Sequence, residues 1–142
     1  MKQKRVLRYY CDHCKKSGCN KAVIRDHEVK CFRNPNRRCP ICEAQWPLDG
    51  LIVPMAALAD ISEANEDALI QAISDAVDGC PACICAALLQ GPIPTIETEH
   101  ENWDGSQSSV TKSRYWVKWD YKKAMDEYMS ERRSEEASYI MP

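Results

Sequence analysis

Six of the nine cysteines and two of the three histidines of this 142-residue chain fall between residues 9 and 42. Cys11 and Cys14 form a Cys-x2-Cys pair, and His27 and Cys31 follow as His-x3-Cys. This is the donor spacing of a small CCHC zinc finger. A tight turn aims two thiolates at one point. One helical turn then puts His27 and Cys31, four positions apart, on a common face to complete a tetrahedron. Further on, Cys39-Pro40-Ile41-Cys42 is repeated as Cys80-Pro81-Ala82-Cys83. Each proline stiffens its turn, and nearby amides can bond the sulfurs, so the two pairs read as knuckles of one four-cysteine site. The expected ligands are therefore Cys11, Cys14, His27, Cys31, Cys39, Cys42, Cys80 and Cys83, for two zinc ions per chain. Cys19 and Cys85 are the alternatives. Cys85 lies two past Cys83 and could replace it, but a buried thiol is its expected role, and Cys19 is expected as a small buried filler.

The elements that must hold these donors follow from the residue pattern. Residues 1–8 form a basic arm. The finger has Tyr9 before its first cysteine and Ile24 as the core residue of a helix over residues 21–31. Gly18 stands where an aromatic would add bulk, so the finger core is thin. Asn34-Pro35-Asn36 sets a polar turn. Between the knuckles, Pro54 begins a short helix and Ser62 is the expected N-cap of a second one. Glu63, Glu66 and Asp67 then lie near its first turn, where the helix dipole favours acid. Its stripe of Leu69, Ala72, Ile73, Ala76 and Val77 is a core face closed by Gly79. Residues 84–90 continue as a short apolar helix. Residues 95–113 carry no apolar period and read as an exposed acidic, Ser-rich linker, in which His100 has no ligand partner. Val117, Tyr121, Ala124, Met125 and Tyr128 predict an amphipathic helix from Arg114 to Arg133, enriched by Trp116 and Trp119, and residues 134–142 a frayed tail.

The expected fold is a small, mainly α, zinc-stabilised domain. Its parts are a basic arm and CCHC finger at 1–38, a four-cysteine helical domain at 39–94, a linker at 95–113 and a C-terminal amphipathic helix with its tail at 114–142. The metals are expected to supply most of the folding free energy of residues 9–42, which chelation should unfold. Cysteines in pairs, with no leader-like segment, point to metal rather than disulfides. The most apolar stretch, residues 51–59, is far too short to span a membrane, so a soluble cytoplasmic protein with no membrane partner is expected.

A formal net charge of −2 hides a division along the chain. Residues 1–38 hold twelve Lys or Arg against three Asp or Glu, whereas residues 39–111 hold twelve Asp or Glu and no Lys or Arg. Two surfaces with different partners, one surface folded over the other, or simple internal charge balance would each produce this. The basic segment offers Lys2, Lys4, Arg5, Arg8, Lys15, Lys16, Arg33, Arg37 and Arg38 to the phosphates of DNA or RNA. Base reading is not expected. The outward residues of the finger helix are Asn20, Val23 and Asp26, and only Asn20 could pair with adenine.

The opening at residues 9–18 (YYCDHCKKSG), the Asn34-Pro35-Asn36-Arg37 turn and the Gly79-Cys80-Pro81-Ala82-Cys83 block together resemble small zinc-finger proteins encoded by bacteriophages and prophages. The resemblance implies a phage origin, hence a host-cell cytoplasm, and the same ligand set; it brings no activity with it. In that setting a protein-binding role is the alternative, as a host-takeover or anti-defence inhibitor or adaptor. It would act through the acidic middle or the C-terminal aromatic helix on a host protein. At a few positions the chain is also similar to junction-resolving endonucleases of the His-Me-finger class. Asp26-His27 lies between two Cys-x2-Cys pairs, and the similarity implies His27 as general base beside a Mg2+ ion. That reading leaves Cys31, Cys80 and Cys83 unused, so the preferred expectation is a non-enzymatic protein.

Overall fold

The computed structural model describes residues 1–105 and 109–140, so part of the expected Ser-rich linker and the last two residues of the expected tail lie outside the described residues. The chain begins with a two-residue ladder, β1 (Tyr9–Tyr10) against β2 (Ser17–Gly18), antiparallel with Tyr9 opposite Gly18. The turn between them is closed by the Cys11 amide on the Lys16 carbonyl at 2.9 Å. Helix α1 (Lys21–Lys30) then starts at Asn20, whose Oδ1 accepts from the amides of Ala22 and Val23. That cap satisfies two of the amides a helix leaves without internal partners. Ile24 is its buried residue, and it lies over Gly18, where an added Cβ would sit 3.5 Å from the Ile24 side chain. The core of this region is as thin as its glycine predicts.

Asn34 organises the next turn. Its side-chain amide donates to the Glu28 carbonyl at 2.7 Å, and its Oδ1 accepts from the Asn36 amide at 2.9 Å. The chain then doubles back through a bridge of Arg38 with Gln45, tightened by the Cys39 amide on the Ala44 carbonyl at 3.0 Å. Glu43 adopts a left-handed φ of 62° inside this loop.

Three helices follow: α2 (Ile52–Ala57), between single 3-10 turns Asp49–Leu51 and Leu58–Asp60, then α3 (Glu66–Ala76) and α4 (Pro81–Gln90). Two consecutive left-handed residues, Asp78 (57°) and Gly79 (73°), end α3 and put the Gly79 amide on the Ser74 carbonyl at 2.9 Å. The chain bends by 120° there and enters α4. Pro81 occupies the first position of α4, where a missing amide hydrogen costs nothing. The second Cys-Pro-x-Cys is thus the first turn of a helix rather than a free knuckle, and α4 begins earlier than residue 84. The α3 stripe is core as expected, with Ile73 and Val77 buried. Its start differs: the helix begins after Asn65, and Ser62 donates its amide and hydroxyl to Asn65 Oδ1 instead of capping the helix. α4 is apolar nearly all round and is buried accordingly, packed with Leu51, Leu58, Ile61 and Trp46 into one cluster.

The C-terminal third departs most from expectation. In place of an unstructured linker there is a hairpin, β3 (Thr95–His100) with β4 (Ser109–Arg114), in register from Thr95 opposite Arg114 to His100 opposite Ser109. Both strands are exposed along their length, so backbone pairing and β-branched residues form them without a buried face, and no apolar alternation marks them in the sequence. The last helix starts later than Arg114. Residues 115–120 run across the helical core without helix, and Asp120 caps α5 (Tyr121–Ile140) by accepting from the Lys123 amide at 3.0 Å. The helix continues through residues 134–140, which were expected to fray. Ala124, Met125 and Tyr128 are its half-buried side, and Tyr121 meets Phe32 edge-on at 6.2 Å. Among the described residues no single helix is long and apolar enough to cross a membrane.

What ties the crossing segment down is Glu66, 5% exposed. Its carboxylate accepts from Tyr115 Oη at 2.6 Å and from the Lys118 amide at 2.5 Å. Hydrogen bonds to Glu66 push the Tyr115 phenol up to about 12. Removing a buried, charged acceptor leaves both donors unmet, so Glu66→Ala should cost about 2 kcal/mol. Chemical denaturation should read this directly, with the exposed Glu63→Ala changing stability by less than about 0.5 kcal/mol.

Candidate metal centres

Two groups of four donors come together, each with all donor atoms within 4.8 Å of one another: Cys11, Cys14, His27 and Cys31, and Cys39, Cys42, Cys80 and Cys83. Both can hold a metal ion. In the first group, the turn after β1 supplies Cys11 and Cys14, and the end of α1 supplies His27 and the capping residue Cys31. Cys14 Sγ and His27 Nε2 are 3.2 Å apart. The His13 amide donates to Cys11 Sγ and the Lys16 amide to Cys14 Sγ, each at 3.4 Å. The Lys16 amide is the main reason the Cys14 thiol titrates below its usual range. Burial, with Lys16 nearby, also lowers His27, which keeps the imidazole in the neutral, donor form that a metal needs. Burial raises the Cys31 thiol.

The second group is deeper. Cys39 and Cys42 come from the loop under the Arg38–Gln45 bridge, while Cys80 caps α4 and Cys83 lies in its first turn. Cys39 and Cys80 sulfurs are 3.7 Å apart, and those of Cys42 and Cys83 are 3.5 Å apart. A tetrahedron of ~2.3 Å metal–sulfur bonds has edges of ~3.8 Å, whereas a disulfide would bring two sulfurs to ~2.0 Å. Ionising one thiol here opposes ionising the next. A hydrogen bond from Cys83 draws Cys80 down to about 5, and the same contact drives Cys83 upward. Burial raises Cys42 as well. A divalent cation would remove that opposition by offsetting the charge of all four.

The other sequence candidates divide between surface and interior. Lys2, Lys4, Arg5, Arg8, Lys15, Lys16, Arg33 and Arg38 are exposed. Arg37, expected with them as a phosphate contact, is wholly buried at 0% exposure and cannot serve as one. Adjacent residues of an extended segment face opposite ways, so the bridge that turns Arg38 outward turns Arg37 inward. Its guanidinium lies over the rings of Phe32 (5.3 Å) and Trp46 (5.6 Å), with Nη1 3.7 Å from Cys83 Sγ. A charge count along the sequence carries no signal that would separate these two arginines.

Cys19 is exposed rather than a buried filler, since the Ile24–Gly18 contact fills the finger core without it. Cys85 is half-buried on α4, outside both groups, and burial raises its thiol. Asn20 spends its carbonyl oxygen on capping α1, and Asp26 pairs with Lys30 at 2.9 Å. Neither is presented freely to a base edge, and Val23 stands exposed between them.

Comparison with protein-family models, curated proteins and solved structures finds no match to this chain. Burial and crowding separate the nine thiols in a way that alkylation can read. Cys19 should be the fastest to react with a neutral thiol reagent, and Cys19→Ser should abolish the fast phase; a fast phase surviving that change would contradict this placement.

Proposed function

We propose that this chain is a non-enzymatic accessory protein that carries two structural zinc ions and binds nucleic acid without reading its sequence. Soft thiolates with one imidazole, four per site and close to tetrahedral spacing, suit zinc. Four protein donors close each site and leave no position for water or substrate, which favours a structural role. The zinc ions would fix the turn before α1 and the loop that carries Cys39 and Cys42. The basic residues would then be presented from a rigid base.

The observation that carries the nucleic-acid reading is the state of the basic residues. Lys4, Arg5, Arg8, Lys15, Lys16, Arg33 and Arg38 are exposed, and among the described residues none is in an ion pair. The acidic middle of the chain does not fold onto them as direct counter-ions, so their charge stays available to phosphate. Engagement of Asn20 and Asp26 within α1 favours contact with the backbone over base reading. The likeness to phage zinc-finger proteins suggests the setting, a host-cell cytoplasm.

Two other readings have observations of their own. Trp103 (105%) and Trp116 (82%) are fully or largely exposed, and exposed tryptophans are frequent anchors of protein interfaces. A host protein is therefore the alternative partner. The nuclease reading needs His27 as a free base; the 3.2 Å approach of its Nε2 to Cys14 Sγ favours a ligand role instead.

Titration of labelled duplex and single-stranded DNA at two salt concentrations, with Mg2+ present, tests the proposal. Binding should weaken steeply with salt. Changing Lys15, Lys16, Arg33 and Arg38 together to Ala should weaken it more than tenfold and reduce the salt slope by about 3. Binding unaffected by these changes, or absent at low salt, would remove nucleic acid as the partner and direct attention to the exposed tryptophans. A cleaved product would restore the nuclease reading.

A further inference from the structure

Arg37 heads the largest fully enclosed side chains of the described residues. A cation is costly to remove from water unless an anion compensates it. Among the described residues no carboxylate lies within ion-pair distance of Arg37. Its Nη2 donates to the Lys30 carbonyl at a long 3.5 Å, its Nε has no acceptor, and its plane lies over Phe32 and Trp46. Ring faces and one carbonyl solvate a cation but do not neutralise it. The remaining contact is Nη1 with Cys83 Sγ at 3.7 Å. The Cys85 thiol and the Tyr121 phenol also lie near enough to feel this charge, but the sulfur that the guanidinium hydrogen-bonds is Cys83, a donor of the four-cysteine group.

The charge arithmetic of the proposed centre fits. A divalent ion held by four thiolates carries a net charge of −2, in a site where Cys39, Cys80 and Cys83 are buried. The Cys3His group would carry −1, and its edge formed by Cys14 and His27 is half-exposed. There the sulfurs are bonded by the amides of His13 and Lys16, and water can share the remaining charge. The buried arginine stands beside the centre with more charge and less water.

We propose that Arg37 is the internal counter-charge of the four-cysteine centre. It is a positioning residue that donates to the Cys83 sulfur and offsets the net negative charge of the metal-loaded centre, and it is not a ligand. The proposal rests on the metal reading of Cys39, Cys42, Cys80 and Cys83. Through Lys30, next to the ligand candidate Cys31, the same side chain links the deeper centre to the end of α1.

The test compares the native chain with Arg37→Met, which keeps bulk without charge, and Arg37→Lys, which keeps charge without the planar fork. Zinc affinity of each centre is measured by chelator competition, and the sulfur-to-metal absorption band is recorded after loading with Co2+. Arg37→Met should weaken the four-cysteine centre by about 10- to 100-fold, the range found when partners of metal ligands are removed. Its absorption band should move to longer wavelength, because the sulfur electrons lose a nearby positive charge. The Cys3His centre should change less than about twofold, and Arg37→Lys should recover most of the lost affinity by the same Coulomb term. Native affinity and band position in Arg37→Met, or equal losses in both variants, would reduce Arg37 to a packing role and overturn the proposal. If Arg37→Met does not fold, Arg37→Gln against Arg37→Lys gives the same contrast. If Cys83→Ser leaves the native metal content unchanged, the metal reading of this centre falls and takes the counter-charge with it.

Discussion

The fold depends on the convergence of four sulfurs from two segments 41 positions apart in sequence. One segment is a loop with little apolar content, and the other is the first turn of the most buried helix. Cys39, Cys80 and Cys83 also belong to the buried cluster with Trp46, so the loop and the helix meet through apolar packing as well as through their sulfurs. Once they meet, α4 is anchored at its N-terminus, and Leu51, Leu58, Ile61 and Ile73 have a fixed surface to pack on. The closing of that cluster also encloses Arg37 and Trp46, so a charged side chain becomes part of the interior. A metal ion at this point would supply folding free energy outright, as it does in small proteins whose cores are too modest to fold alone.

How far the sequence could be read depends on which force shapes each part. Donor spacing is a local code, and it marks both groups of four in the sequence itself. The helical period likewise marked the α3 stripe, because Ile73 and Val77 have only one buried side to occupy. The hairpin of β3 and β4 left no such mark. Both of its faces are exposed, so the pairing of backbone groups forms it without the alternation that betrays a half-buried strand. The start of α5 at Tyr121 escapes the sequence pattern for a related reason. Tyr115 and Val117 do contact the core, but from an extended segment held by Glu66, and a pattern of core contacts alone does not distinguish the two. The burial of Arg37 is not legible in the sequence because net charge treats every arginine as solvated. Only the alternation around the Arg38–Gln45 bridge decides which of the two neighbours turns inward.

The proposed function follows from this division of labour. Two compact centres fix the backbone at the two ends of α1 and at the base of α4, and exposed cations gather on the first of these regions. Nothing in that arrangement requires an open coordination position. Helix α5 packs back on this region, with Tyr121 edge-on to Phe32 and Arg132 reaching the Ile41 carbonyl at 2.8 Å beside the deeper centre. The exposed cations Lys15, Lys16, Arg33 and Arg38 are in no ion pair among the described residues, which leaves their charge open to a phosphate backbone.

The most direct test of the central claim is native mass spectrometry of the intact chain produced with zinc in the medium. Two zinc ions should be bound to the native protein, and one each to Cys31→Ser and Cys83→Ser, the ion lost differing between them. A native chain with no ion or a single one, or both variants retaining two, would contradict it.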